Sequence, residues 1–287
     1  MIRPLVFCLC LLLVMPAQAA ALRLVDDAGH TLEITRPPQR IISLTPHLTE
    51  LLFAVGAGAQ VVGADSASDY PEAARTLPHV GDYSRINFER ILALKPDLIL
   101  VWVGGNRAAD IHGLREMGLP VLHTQATRLD DVARLLRLIG QASGHAVAGE
   151  TAAQAYSTRL AALQVRDVQK PPVSVFYQVW DRPLMTVGGG HWISDALVLC
   201  GGRNVFADLR GLSPVVSREA VLSRAPELIV GGSDAPDLRR SWQQFASLPA
   251  VKNDAFVQVD ADLLHRPTPR LIEGVAGLCA AVAPYAR

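Results

Sequence analysis

A glutamate recurs at one place in two copies of a single pattern. NFERILALKPDLILVW begins at Asn87 and SREAVLSRAPELIVGG at Ser217, an offset of 130 residues held without a gap, so that Glu89 falls on Glu219, Pro96 on Pro226 and Ile99 on Ile229. Asn87 and Ser217 are good N-caps, which puts each glutamate in the first turn of a helix, where the dipole favours a carboxylate by about 0.3–1 kcal/mol. Helix stability therefore accounts for either glutamate singly. It does not demand one at the matched position of both units, although duplication supplies it. Spacing alone leaves their role open.

Other polar and aromatic groups gather where strands are predicted to end. Tyr83 precedes the first unit, Trp102 closes its strand and leads into Gly104-Gly105-Asn106, and Asp262 and Arg266 lie in the loop predicted after AFVQV. Ligands of α/β sheets bind beyond the carboxyl ends of the strands. These groups suit binding rather than bond-making. The chain has no G-x-S-x-G elbow, H-E-x-x-H, P-loop or kinase set. Its eight histidines form no tract or close pair, and the Gly-rich GAGAQVVG follows a helix rather than a strand. No catalytic residue, metal ligand or cofactor is singled out, and the chain is not expected to be an enzyme.

Arg3, the apolar run Leu5–Val14, Pro16 and Ala17-Gln18-Ala19 have the order of a secretory signal, with cleavage near Ala19. Cys8 and Cys10 lie inside the apolar run. An exported product keeps only Cys200 and Cys279, an even pair in an oxidising compartment. A bridge between them would close a loop of about 80 residues; two buried free thiols are the alternative. Net formal charge is zero and the pI near 7.1, with no basic run, so nucleic acid and anionic membrane are excluded as partners.

The elements that would hold these groups alternate. LRLVDDAGHTLEI suits a hairpin, and RIISL, QVVGA, DLILVW and PVLHT suit strands of a parallel sheet. From Arg128 apolar residues recur at helical spacing, and the Ala-rich stretch from Gly144 to Pro171 predicts one helix of about 20 residues or more. Strands and helices then resume with VSVFYQVW. The expected fold is α/β: two Rossmann-like lobes with mainly parallel sheets joined by one long α-helix. The expected divisions are a signal over 1–19, a first lobe over 20–127, a helical region over 128–171 and a second lobe over 172–287.

RIISLTPHLTELLFAVGAG, GADSASDYPEAA, NFERILALKPDLILVW and LCGGRNVF together resemble the helical-backbone (class III) periplasmic binding proteins that serve ABC importers, and within them the cobalamin binders. The resemblance covers nearly the whole chain after the signal. It implies a monomer in the periplasm that captures cobalamin or a related corrinoid and delivers it to a permease dimer. It implies that Glu89 and Glu219 dock on permease arginines, and that Cys200 and Cys279 are bridged. Trp102 matches a cleft aromatic of that family, Tyr83 stands at a Trp position, and Asp262, Leu263, Leu264, His265 and Arg266 match the segment that hydrogen-bonds the corrin's amides. Three positions depart from the pattern: Ala67 replaces a Tyr, Ser213 a Trp and Met185 a Phe. Trp180, Trp192 or His191 would then take up part of the contact. A ferric siderophore or haem is the alternative ligand, with His47, His191 and His265 as candidate axial groups for haem; a secreted enzyme using the same cleft is a distant third possibility.

Overall fold

A computed structural model describes residues 21–163, 171–233 and 237–286. The expected signal over 1–19 lies outside the described residues. The first lobe opens with an antiparallel hairpin, β1 (Leu22–Val25) and β2 (Thr31–Ile34). There follow β3 (Ile41–Ser43), α1 (Pro46–Ala54), β4 (Val61–Ala64), α2 (Phe88–Ala93), β5 (Leu98–Trp102), α3 (Ala108–Glu116) and β6 (Val121–Thr124). The sheet order is β4-β3-β5-β6, all parallel. Ile99, Leu100 and Val101 are buried, as a strand covered on both faces by helices requires.

The lobes are joined through the expected long helix, and the shorter helix before it packs alongside. α4 (Asp131–Ser143) stops at Gly144, which adopts φ 83°, and α5 (Ala146–Leu163) turns back along it. A Cβ on Gly140 would sit 2.8 Å from Gly149 Cα, so only this glycine pair lets the helix axes come so close. The single helix expected between Gly144 and Pro171 is thus 18 described residues long, and residues 164–170 lie outside the described part.

The second lobe repeats the first. Its elements are β7 (Val173–Gln178), a small hairpin of β8 (Trp180–Asp181) and β9 (Leu184–Met185), α6 (Trp192–Leu199), β10 (Gly202–Asn204), α7 (Arg218–Arg224), β11 (Leu228–Gly232), α8 (Leu238–Trp242), α9 (Pro249–Lys252), β12 (Phe256–Val259), α10 (Ala261–Leu264) and α11 (Leu271–Val282). The order β10-β7-β11-β12 is parallel and matches the first sheet strand for strand. The 130-residue echo is structural as well: β5 and β11 occupy corresponding places, and the helix before each ends on a left-handed residue, Lys95 (φ 46°) and Ala225 (φ 43°), just ahead of the matched prolines. Asn87 accepts a hydrogen bond from the N–H of Arg90 and Ser217 from that of Ala220, the caps expected from sequence. Among the described residues no helix is long and apolar enough to cross a membrane.

Candidate functional site

Parallel strands deliver their carboxyl ends to one edge of a sheet, and here the edges of both sheets meet at a cavity of about 510 Å³. Its lining comes from the residues after β3 (Leu44 to His47), after β4 (Asp65 to Ala67), the Asp82-Tyr83 turn and the end of β5 (Trp102, Gly105, Asn106). The second lobe contributes His265 and Arg266. Five of the residues expected at a ligand site, Ala67, Tyr83, Trp102, His265 and Arg266, therefore line one cavity. Asp262, Leu263 and Leu264 do not. Instead of the expected loop they form α10, capped by Asp260, with Leu264 fully buried in the core and Asp262 turned to solvent, where it pairs with Arg266 at 3.1 Å.

The cavity floor is aromatic. The imidazole of His47 meets the Trp102 indole edge-on at 5.1 Å, Trp102 lies 6.4 Å from Trp192 of the other lobe, and His191 stacks on Trp192 at 3.9 Å. Trp102 folds back over its own loop: side chains on Gly104 or Gly105 would collide with its ring, and one on Gly104 also with Leu212 across the lobe boundary. Asn106 fixes the turn, accepting from the N–H of Trp102 at 2.8 Å and donating to Leu44 O at 3.0 Å. Three polar atoms of cavity residues, Thr45 Oγ1, His47 Nε2 and the Trp102 indole N–H, are buried without a hydrogen-bond partner. Such orphans are rare in native interiors and concentrate at functional places.

His191 and Trp192, expected as possible ligand contacts, serve the core. Trp192 is only 1% exposed and donates its indole N–H to Leu264 O at 2.9 Å; the His191 ring accepts the N–H of Ile193 and caps α6. His265 is engaged as well, its Nε2 lying 2.9 Å from the Tyr177 hydroxyl. Burial lowers both His47 and His191 to a pKa of about 3, with Arg266 adding to the effect at His47. A neutral buried histidine that must charge on unfolding costs stability as pH falls from 6.5 toward 3. Urea stability should accordingly drop between pH 7 and pH 5 by up to about 2 kcal/mol for each histidine. His191→Asn, which can still cap α6, should remove its share of that slope; an unchanged slope would mean the ring is not the titrating group.

The rim is charged. Burial holds the Asp65 carboxyl above its usual range, although the N–H of Ala67 donates to it at 2.8 Å. Arg266 reaches the buried Glu50 at 3.1 Å and Asp69 at 2.6 Å, and Arg270 grips Glu50 through two nitrogens at 3.0 and 2.7 Å while stacking on Tyr70 at 3.8 Å. Glu50, Asp69 and Tyr70 belong to the first lobe and both arginines to the second, so this network fastens the lobes beside the cavity. Sequence pattern gave no sign of it beyond an acid inside the apolar helix ELLFA. Two histidines do converge despite their scatter: Asp26 accepts at one oxygen from the N–H groups of Ala28 and His30, and at the other from the N–H and ring Nδ1 of His123. With Arg115 donating to His30 Nε2 at 2.6 Å, the group ties the β1–β2 hairpin to β6, while His30 Nδ1, 3.5 Å from Asp26, is buried without a hydrogen-bond partner.

Glu89 and Glu219 stand exposed in the first turns of α2 and α7, one on each lobe and neither at the cavity. Cys200 and Cys279 are bridged, with Cα atoms 4.5 Å apart, joining the end of α6 to α11.

Comparison with known proteins agrees with this architecture. The family described as periplasmic binding protein matches residues 41–263. The vitamin B12-binding protein of Vibrio cholerae serotype O1 is 39% identical over 246 residues, covering 85% of this chain and 88% of that one. The crystal structure of the periplasmic vitamin B12 binding protein BtuF of Vibrio cholerae superposes with a TM-score of 0.78 at 37% identity, covering 86% of this chain and 98% of that one. A periplasmic heme binding protein from Pseudomonas aeruginosa superposes with a TM-score of 0.70 at 26% identity, covering 87% and 94%.

Proposed function

The chain belongs to the periplasmic binding protein family, and from that premise we propose that it captures cobalamin or a related corrinoid between its lobes and hands it to an ABC importer. The observation that carries this is the cavity itself, an aromatic floor with a polar rim at the carboxyl ends of two parallel sheets, in a chain 39% identical to a vitamin B12-binding protein. A corrinoid presents an apolar face and a periphery of amides. Flat rings such as Tyr83 and Trp102 suit the face, and Asp65, Asn106, His265 and Arg266 suit the amides. The cobalt of a corrinoid brings its own axial groups. Haem usually needs one from the protein, yet His191 is buried as a helix cap, His47 is buried in the cavity floor with its ring edge-on to Trp102 and His265 is held by Tyr177, which favours the corrinoid. Binding alone is required of this site, with no chemistry on the ligand. Dialysis of the protein against cyanocobalamin, whose colour reports the retained amount, should show one equivalent held per chain; none retained would reject the assignment.

Delivery is assigned to Glu89 and Glu219. Each is exposed at the start of an N-capped helix on its own lobe, and burial contributes nothing that would explain the pair. A twofold permease offering one arginine cluster to each lobe would meet them in charge-assisted pairs. Glu89→Ala with Glu219→Ala should leave corrinoid affinity unchanged and cut uptake by roughly tenfold or more, the scale of losing two charged contacts; normal uptake would remove the docking role. Export to the periplasm through cleavage near Ala19, and action as a monomer, complete the proposal.

A further inference from the structure

The cluster around Asp26 lies away from the cavity, at the outer edge of the first sheet. β6 is the last strand in the order β4-β3-β5-β6, and none of Asp26, His30 and His123 lines the cavity. Hairpin geometry accounts for part of the cluster. Asp26 follows β1 and starts the turn, where its Oδ1 accepts the N–H groups of Ala28 and His30. Its Oδ2 holds β6 through the N–H and ring Nδ1 of His123, at 3.2 and 2.5 Å. One aspartate and one histidine suffice for that tie. The second imidazole is not needed for it. His30 turns its Nδ1 inward, to 3.5 Å from Asp26 Oδ1, where it is buried and makes no hydrogen bond. A ring nitrogen taken from water and left unpaired costs stability, so the fold alone gains nothing from this placement.

Two imidazoles and one carboxylate are a ligand set for a divalent transition metal. Neutral imidazole suits zinc and its neighbours, whereas calcium and magnesium take oxygen ligands. One ligand atom from each of the three residues lies within 4.8 Å of the others. Around a tetrahedral zinc with bonds of about 2.0–2.2 Å, ligand atoms stand about 3.3 Å apart. The 3.5 Å between His30 Nδ1 and Asp26 is close to that spacing. The His123 ring, hydrogen-bonded to Asp26, has to back away by less than roughly 1 Å to reach it. Asp26 and His123 are buried, while the His30 side chain is 42% exposed, which gives the ion a way in and water a fourth position. The backbone N–H groups on Asp26 orient the carboxylate, as outer-shell donors do for metal-bound carboxylates. One group opposes the ion. Arg115 donates to His30 Nε2 at 2.6 Å, and a ring that gives Nδ1 to a metal carries its hydrogen on Nε2, which displaces that donor. Arg115 is exposed, so its guanidinium moves into water as the ion enters.

We propose that Asp26, His30 and His123 bind a divalent transition metal of the zinc class, which clamps the β1–β2 hairpin to the edge strand of the first lobe. This site is independent of what the cleft carries. Untagged protein is stripped with a chelator, dialysed and titrated with zinc chloride by calorimetry, with melting temperature followed in parallel. The wild type should bind one equivalent with a Kd in the micromolar range or tighter, and a hundredfold excess over Kd should raise its Tm by roughly 5 °C. His30→Gln should weaken binding about 100-fold or more, past the 10- to 100-fold typical of losing an outer-shell partner. Without zinc its Tm should match the wild type, since His30 lies at the exposed side of the cluster. Arg115→Ala should bind severalfold more tightly, because the competing guanidinium is gone. His112→Gln, which removes an exposed histidine 3.2 Å from Glu116 on α3, should bind like the wild type. No zinc binding by the wild type overturns the proposal. So does binding by His30→Gln within twofold of the wild type, or a loss of binding in His112→Gln, either of which moves the ion to another surface.

Discussion

Glu50→Ala is expected to destabilise the protein by about 3–5 kcal/mol, the cost of leaving buried charge without its partner. The Glu50 carboxylate is 3% exposed inside α1 and receives three hydrogen bonds, one from Arg266 and two from Arg270. Arg266 retains Asp69 and Asp262 when Glu50 is removed, but Arg270 keeps only its stacking on Tyr70 among the contacts seen here. Most of the loss should therefore be charged to Arg270, and Arg270→Met in the Glu50→Ala background should recover part of it by removing the stranded guanidinium. Urea unfolding of the two single variants and the double variant measures this. A Glu50→Ala change of less than about 1 kcal/mol would place the pair in the range of solvent-screened surface bridges. Because the network spans the lobes, the same variant should weaken ligand binding as well as folding.

The second large effect lies in the disulfide. Replacing Cys200 and Cys279 with alanine releases a loop with a sequence separation of 79, which the chain-entropy model values at about 4–5 kcal/mol. For a chain of this size that is roughly a 10 °C fall in Tm. Neither cysteine lines the cavity, so corrinoid affinity measured below the transition should stay within twofold. Thermal scans with and without reductant provide the check on the wild type; a reductant-independent Tm with both thiols alkylated would show that the bridge constrains nothing of consequence.

What could be read from the residues, and what could not, divides along sequence separation. The Asn87 and Ser217 units were legible because everything that defines them is local: a cap, a helical apolar rhythm, a proline turn and a buried strand lie within sixteen residues. Even the left-handed Lys95 and Ala225 sit where a helix must stop before proline. The strand-end rule likewise found Tyr83, Trp102 and Arg266. Glu50 could not be found this way, since its partners are 216 and 220 residues distant. Leu264 was misplaced because Asp260 caps a helical turn too short to carry a periodic signal, and that turn aims the leucine inward. The long helix between the lobes was legible because its Ala-rich run has no internal stop, whereas the contact between Gly140 and Gly149 that packs α4 against α5 is tertiary. His191 and Trp192 are burial decisions of the same kind: the sequence offers an aromatic pair, and only packing sends it to the core while Trp180 stays in solvent.

Calorimetric titration of the protein from residue 20 onward with cyanocobalamin, alongside haemin and a ferric hydroxamate, tests the central claim most directly. The predicted result is saturable one-to-one binding of cyanocobalamin at micromolar affinity or tighter, with no comparable heat from the other two. Saturable binding of haemin or the hydroxamate without cyanocobalamin would contradict it, leaving the two-lobe binding protein intact and its cavity assigned to a different ligand.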